Sequence, residues 1–137
     1  MSNDLNQALD ISASGMDAQT VRLRIIAQNV ANQDTTGSTP GADAYRRKTV
    51  TFENMLDKAT GAERVGIKKI GADTSDLPLK YDPSNPAANA QGYVKISNVN
   101  SFVEIMDMRE AERSYGANLS VMQATRGMLN RTLDLLK

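Results

Sequence analysis

The stretch LNQALDISASGMDAQTVRLRIIAQNVA, residues 5–31, decides the fold, because its apolar residues recur at helical spacing almost without a break. Spacings of three and four residues form the heptad pattern of a helix that packs against other helices. The positions that carry this pattern are Leu5, Leu9, Ser12, Met16, Gln19, Leu23, Ile26 and Val30. A second, weaker apolar line consists of Ile11, Ala18 and Ile25. The sequence therefore predicts a helix from Leu5 to about Ala31 that is covered on more than one side.

The middle of this predicted helix carries unusually small side chains, in the run ISASG at residues 11–15. Glycine in a helix interior costs about 1 kcal/mol relative to alanine. Small side chains at Ser12 and Gly15 allow the backbone of another helix to come close, and such packing offsets that cost. We therefore predict that a second helix packs closely against this one at Gly15.

The C-terminal region repeats the arrangement with two apolar stripes. One stripe consists of Ile105, Met108, Tyr115, Leu119, Met122, Leu129, Leu133 and Leu136. The other consists of Val103, Met106, Ala117, Val121, Ala124, Met128 and Leu135. The run SFVE, Ser101 to Glu104, has capping-box spacing, which predicts a helix that begins within a few residues of Asn100. A two-helix hairpin buries only one stripe per helix, so the doubled stripes favour self-assembly over an isolated hairpin.

The pattern divides the chain into three segments: a helical arm at residues 1–32, an irregular middle at 33–98, and a second helical arm at 99–137. The middle contains all four prolines and six of the nine glycines. Its β-leaning stretches are AYRRKTVTF (44–52), ERVGIKKI (63–70), LPLKY (77–81) and GYVKI (92–96). They predict one or two hairpins or a small sheet. The fold class is therefore mainly α with a small β-containing middle.

Composition narrows the possible functions. The chain has no cysteine and no histidine, which excludes disulfides and thiolate metal sites and removes the commonest general base and metal ligand. Sixteen basic and sixteen acidic residues balance, so no net charge favours nucleic acid. No apolar run reaches membrane-spanning length, and the first ten residues lack the features of a secretory signal. We expect no cofactor, no small-molecule substrate and no enzyme activity.

The middle segment contains a group of basic residues and a group of acidic residues, and each group could either bind a ligand or serve only the fold. Arg46–Lys48, with Lys68 and Lys69, could contact phosphate or an acidic polymer, but no aromatic platform accompanies them. We interpret them as a solvated strand face. The acids Asp73, Asp76 and Asp82 lack the spacing of a calcium loop, and turn-forming roles are favoured.

Both ends of the chain resemble a known family. Residues 8–37 are similar to the N-terminal signature of bacterial flagellar axial proteins, the rod and hook group, and residues 82–136 resemble their C-terminal signature. The N-terminal markers are Asn29-Val30-Ala31-Asn32, Thr35, Thr36 and Gly37. The C-terminal markers are Gly92-Tyr93-Val94, Asn98-Val99-Asn100, Glu104, Ala111, Arg113, Tyr115, Ala117 and Asn118. Within the group the chain is most like a short proximal protein of the basal-body rod, since it is too short for the large inserted domains of other members.

This resemblance implies a structural subunit of the flagellum that supports motility. Such proteins are exported without a cleaved signal by the flagellar type III apparatus and assemble helically into the periplasmic rod of the basal body, which transmits motor torque. It implies that the two arms pack as an antiparallel coiled-coil hairpin whose outer faces are covered by other copies and other rod proteins. The implied assembly interface is Leu5, Leu9, Ser12, Gly15, Met16, Leu23, Ile26, Asn29, Val30, Asn32, Ile105, Met108, Tyr115, Asn118, Leu119, Met122, Leu129 and Leu133.

Two alternatives remain open from the residues alone. A soluble helical-hairpin adaptor that binds partner helices would have stable arms as a monomer. An enzyme that acts on an acidic polymer through the basic middle segment is a more distant alternative. A rod subunit, with only 4% aromatic residues, is instead expected to have poorly ordered arms that fold on assembly.

Overall fold

The computed structural model describes residues 2–135 and contains two long helices, α1 at Ser2–Ala31 and α2 at Ser101–Asp134. They account for 30 and 34 of the 137 residues, so the prediction of a mainly α chain with two helical arms is confirmed. Leu136, the last residue of the predicted C-terminal stripe, and Lys137 lie outside the described residues.

Helix α1 begins three residues before the predicted Leu5 and ends at the predicted Ala31. Asp4 in the first turn interacts favourably with the helix dipole. At the other end the side-chain amide of Asn32 donates to the carbonyl oxygen of Gln28 at 2.9 Å. The same carbonyl also accepts from the backbone N–H of Asn32 at 3.1 Å, so Asn32 closes the last turn with both its backbone and its side chain.

Helix α2 begins where the sequence predicts, but a different residue caps it. Asn100 Oδ1 accepts hydrogen bonds from the backbone N–H groups of Phe102 at 3.0 Å and Val103 at 3.4 Å, which is the geometry of an N-cap. Ser101, the expected cap of the SFVE box, instead donates its hydroxyl to Gln33 Oε1. The capping-box interpretation is therefore wrong, because the side chains of Ser101 and Glu104 are engaged by residues from distant parts of the chain.

Four strands form two separate two-stranded sheets in the middle segment. Strands β1 (Lys48–Leu56) and β2 (Glu63–Ala72) make one sheet. Strands β3 (Leu79–Tyr81) and β4 (Tyr93–Lys95) are antiparallel, with Lys80 opposite Val94. All four predicted β-leaning stretches thus contain a strand. Strand β1 begins four residues later than its predicted stretch.

The described residues form two compact units. The first combines the start of α1 up to Leu23, the hairpin residues Thr51–Lys69, and α2 from Arg109 onwards. In this unit the backbone N–H of Val65 donates to Ser14 Oγ at 3.3 Å, while Gly15 lies against Asn118 of α2. Helix α1 is therefore covered on more than one side, as predicted. The buried residues here are small: Ser12, Gly15, Ala18, Ala62, Ala111 and Thr125.

The second unit combines Arg24–Val50 with Ile70–Met108 and has a more substantial interior. Its buried apolar residues are Ile25, Ile26, Ala44, Ala87 and Val94. The three largest fully buried side chains of the described residues, Glu104, Val94 and Asn29, all belong to it. Two of these three are polar, so hydrogen bonding carries much of the specificity of this interior.

Candidate functional site

A buried polar cluster lies at the centre of the second unit, around Asn29 and Glu104. Asn29 is in the last turns of α1 and is 1% exposed, and Glu104 is in the first turn of α2 and fully buried. The side-chain amide of Asn29 donates to Glu104 Oε2 at 3.1 Å. The other carboxylate oxygen, Oε1, accepts from Arg47 Nε at 2.5 Å. Both oxygens of this buried carboxylate are therefore hydrogen-bonded within the chain.

The segment that leads into β1 is held by the same cluster. Asn29 Oδ1 accepts from the backbone N–H of Lys48 at 2.8 Å and from the hydroxyl of Tyr45 at 2.9 Å. The amide of Asn29 also donates to the carbonyl oxygen of Lys48 at 2.9 Å. Through these bonds one asparagine matches both backbone groups of Lys48, as a neighbouring strand would. This fixes the direction in which the chain leaves α1 and enters the sheet.

Arg47 strengthens the link to α2 and joins two further segments to the cluster. Its guanidinium also donates to Asp107 Oδ2 at 3.0 Å, and its backbone N–H donates to Asn98 Oδ1 at 2.7 Å. The amide of Asn98 in turn donates to Ser75 Oγ at 2.9 Å. The loop after β2 and the segment before α2 are thereby tied to the entrance of β1. The interpretation of residues 46–48 as a solvated strand face is therefore wrong for Arg47.

The environment of the cluster changes the ionisation of two side chains. Burial, with a smaller contribution from the negative charge of Glu104, raises the pKa of Tyr45 above its ordinary value. Burial by itself would lower the pKa of Arg47, but the hydrogen bond and charge of Glu104 and the charge of Asp107 raise it overall. The cluster therefore favours a neutral tyrosine and a charged arginine. This arrangement positions segments of the chain relative to one another within the second unit.

The acids considered as metal ligands form turns. Asp73 Oδ1 accepts from the backbone N–H of Ser75 at 2.8 Å, and Asp82 Oδ1 accepts from Ser84 Oγ at 2.7 Å. The backbone bond to Ser75 is the main reason that the pKa of Asp73 is lowered. The predicted turn-forming role is confirmed for these two aspartates. Within residues 2–135 no group of three potential metal-binding side chains occurs.

The implied interface residues of α1 lie on its covered side. Ser12, Gly15, Ile26 and Asn29 are buried, and Leu5, Leu9, Met16, Leu23 and Val30, with Asn32 just after the helix, are half-buried. A methyl group added at Gly15 would lie 2.7 Å from Asn118 Nδ2. The prediction that a second helix lies close at Gly15 is confirmed, and that helix is α2 of the same chain. The three nearest atoms belong to the side chain of Asn118, so a side chain and not a second backbone fills the space at Gly15.

The implied interface residues of α2 divide into two groups. Met108, Tyr115, Asn118, Met122 and Leu129 are half-buried. Ile105, Leu119 and Leu133 are exposed, at 46%, 37% and 52%. The apolar stripe read from the sequence therefore combines positions that face the chain itself with positions that face outwards.

Sequence reasoning missed most of the other half of the covered side of α2, since only Asn118 of that half was assigned to the interface. It consists of five positions seven residues apart, Glu104, Ala111, Asn118, Thr125 and Thr132, which we call the inner line. Glu104, Ala111 and Thr125 are buried, and Asn118 and Thr132 are half-buried. Because these side chains are polar or small, a search for apolar periodicity does not detect them. The strict spacing of seven was the available signal, since it is the repeat at which a helix presents the same face to a partner.

No helix within the part of the chain that the structure describes has the length and apolar character needed to cross a membrane.

Comparison with known proteins identifies the family. A model of the flagella basal body rod protein family matches residues 9–39, and a model of the flagellar basal body rod FlgEFG protein C-terminal region matches residues 90–135. The flagellar basal-body rod protein FlgC of Agrobacterium fabrum is 54% identical, over 97% of this chain and 96% of its own length. FlgC of Bacillus subtilis is 37% identical over 95% and 97%, and FlgC of Salmonella typhimurium is 39% identical over 92% and 93%. The chain therefore belongs to the FlgC family of flagellar basal-body rod proteins.

Proposed function

We propose a specific role for this chain in the flagellar basal-body rod, of which it is a structural subunit and not an enzyme. It occupies the proximal rod together with the other rod proteins of the basal body. The flagellar type III apparatus exports it from the cytoplasm, and copies of it assemble helically in the periplasm. The assembled rod then transmits motor torque through many contacts between subunits.

The observation that carries this proposal is the distribution of apolar side chains on α2. Its inner line is largely polar, whereas large apolar side chains are exposed on its other sides. The exposed ones are Phe102, Val103, Ile105, Met106, Leu119, Val121, Met128 and Leu133, and Leu135 just after the helix is exposed as well. Exposed apolar surface of this extent on one helix is typical of a surface that other molecules cover. Because the chain belongs to a family of rod proteins, neighbouring rod subunits are the molecules that we expect to cover this surface.

Within each subunit we place α1 and α2 in an antiparallel coiled-coil hairpin. Two contacts of the first unit support this packing. Gly15 lies against Asn118, and seven residues further along α1 the guanidinium of Arg22 is 3.1 Å from the carboxylate of Glu110. A later position in α1 thus meets an earlier position in α2, as antiparallel helices require.

The implied interface residues then have two roles. The covered ones, such as Ser12, Gly15 and Asn118, hold the two helices of one subunit together. The exposed ones, Ile105, Leu119 and Leu133, contact neighbouring subunits. The division into two arms at residues 1–32 and 99–137 and a middle at 33–98 remains part of this proposal. The arms pass through the export channel as an unfolded chain and become ordered on assembly.

Genetic complementation tests the function. A bacterium that lacks its own FlgC should regain motility and complete rods when it expresses this chain. The matched control is Gly15→Leu, whose side chain does not fit beside Asn118. We expect that variant to be exported but not assembled, so the protein should appear in the medium without motility. Normal motility in the variant would contradict the proposed packing, and failure of the unaltered chain would contradict the rod function.

A further inference from the structure

An apolar groove lies in the first unit at the start of α1 and the end of α2. Leu5, Met128 and Thr132 line it, with Asp4 and Arg131 as its charged members, and its volume is about 350 Å³. That volume is within the range of cavities that enclose ligands or large side chains. Met128 remains 47% exposed there. The groove is therefore an apolar depression with one acidic and one basic side chain.

The same unit exposes to solvent two neighbouring apolar side chains that a partner could bury. Met55 and Leu56, at the end of β1, are 50% and 62% exposed. Glu53 precedes the pair and Lys58 follows it, and both are exposed. The end of β1 thus presents an apolar centre between an acidic and a basic side chain.

The two features complement each other in both apolar character and charge. When Leu56 enters the groove, Glu53 can approach Arg131 while Lys58 approaches Asp4. Oppositely charged rims of this kind fix register and suppress wrong docking, because the reverse orientation places like charges together.

Among the described residues that line the groove, none belongs to the subunit's own hairpin. Its loop is held on α1, where the side-chain amide of Gln7 donates to the carbonyl oxygen of Thr60 at 2.5 Å. Arg64 of β2 adds an ion pair with Asp10 at 3.1 Å. Gln7 and the groove residue Leu5 are two positions apart, so they point about 200° apart around the helix axis. The hairpin therefore lies on a different side of α1 from the groove.

We propose that the end of β1 of one copy, with Leu56 at its centre, docks into the groove of a second copy. The two surfaces are different patches of the same chain, so the contact is heterologous. Heterologous contacts continue from copy to copy instead of stopping at a dimer, and they generate helical polymers when they do not close into a ring. The inference rests on the proposed function and names one of the contacts through which the rod is built.

Cysteine cross-linking in complemented cells tests the contact directly, because the chain has no cysteine of its own. The double variant Leu56→Cys with Thr132→Cys should form a ladder of cross-linked multimers under mild oxidation. The control is Leu79→Cys with Thr132→Cys, in which the first residue is 60% exposed but lies outside the proposed contact. It should form no ladder. Motile cells without a ladder in the first variant, or cross-links only to a different rod protein, would overturn the inference and leave the rod function intact.

Charge reversal provides a second test that does not depend on cross-linking. We expect Glu53→Arg and Arg131→Glu each to lower the number of complete rods per cell about tenfold, because each brings like charges together. The combined variant should regain most of the lost rods. Arg126→Glu, at another exposed position of α2 outside the groove, should have little effect. Equal losses in the single and combined variants would overturn the inference, and failure of the unaltered chain to form rods would remove the proposed function on which it rests.

Discussion

At Gly15 the absence of a side chain makes room for Asn118, whereas at Gly116 no residue among 2–135 comes close enough to require a glycine. A methyl group at Gly15 would lie 2.7 Å from Asn118 Nδ2, whereas one at Gly116 would meet nothing within 4 Å. Alanine is favoured over glycine in helices by about 1 kcal/mol. Gly116→Ala should therefore raise the helical content and thermal stability of the purified chain, measured by circular dichroism at 222 nm. Gly15→Ala should not, unless Asn118→Ala is introduced with it. An equal gain from both single variants would contradict the close packing.

Glu104 is the residue whose loss should cost the most stability. Its carboxylate is fully buried, pairs with Arg47 and accepts from the amide of Asn29. Its loss removes both bonds and leaves a buried gap, although Arg47 keeps its ion pair with Asp107. We expect Glu104→Ala to lower the free energy of unfolding by about 3 kcal/mol, measured by urea titration. Asp107→Asn is the matched control, because it removes the more exposed partner of the same arginine. It should cost about 0.5 kcal/mol. Similar losses in the two variants would contradict the special role of the buried carboxylate.

Tyr45 makes the stability of the cluster sensitive to alkaline pH. Its pKa is raised in the folded chain, so the neutral form is the one that the fold stabilises. That contribution is complete below the pKa of an unfolded tyrosine, about 10, and is lost as the pH rises through the higher folded value. Tyr45→Phe should cost about 1 kcal/mol at pH 7 through the lost bond to Asn29. The variant should also show a smaller fall in stability above pH 10. An unchanged alkaline dependence would show that Tyr45 does not titrate in this way.

At the scale of elements, long periodic segments were predictable and contacts between distant segments were not. Helices α1 and α2 could be predicted because each keeps an apolar repeat over many turns, and the four strands because turn residues separate them. Most of the inner line of α2, Asn118 excepted, was not predicted because its side chains are polar or small. The role of Arg47 in the buried cluster was not predicted, because its partners Glu104 and Asn98 come from segments that are distant in the sequence. Only the folded chain brings such residues together.

A substitution in the inner line should change the stability of the folded chain. Thr125 is 2% exposed, and its hydroxyl donates only to the carbonyl oxygen of Val121 in the preceding turn. Replacing this hydroxyl with a methyl group buries more apolar surface, so Thr125→Val should stabilise the folded chain by about 1 kcal/mol. Thr20 makes the same bond, to Met16, at an exposed position of α1. Thr20→Val should therefore change stability by less than about 0.5 kcal/mol. Thermal unfolding of both variants measures the difference, and a loss at Thr125 would mean that its hydroxyl is needed.

At the scale of the whole molecule, the two units differ in what holds them together. The buried side chains of the first unit are small, such as Ala18, Ala62 and Ala111, whereas the second unit buries Ile25, Ile26 and the Asn29–Glu104 cluster. Small side chains remove little apolar surface from water when they are buried. A region with fewer buried apolar contacts opens locally at a lower free energy. The first unit should therefore open more easily in the isolated chain.

Amide hydrogen exchange on the dilute, purified chain measures this difference. We expect fast exchange in α1 up to Leu23 and in α2 from Arg109 onwards, and slower exchange in Arg24–Val50 and Ile70–Met108. That result would mean that the outer parts of both arms become ordered only when neighbouring rod subunits cover them, at the entropic cost that folding on binding entails. Strong protection throughout both helices at low concentration would instead indicate a self-sufficient hairpin. The proposal that the arms become ordered on assembly would then have to be abandoned. In that case α2 would be stable in the isolated chain even though its exposed apolar side chains are not covered.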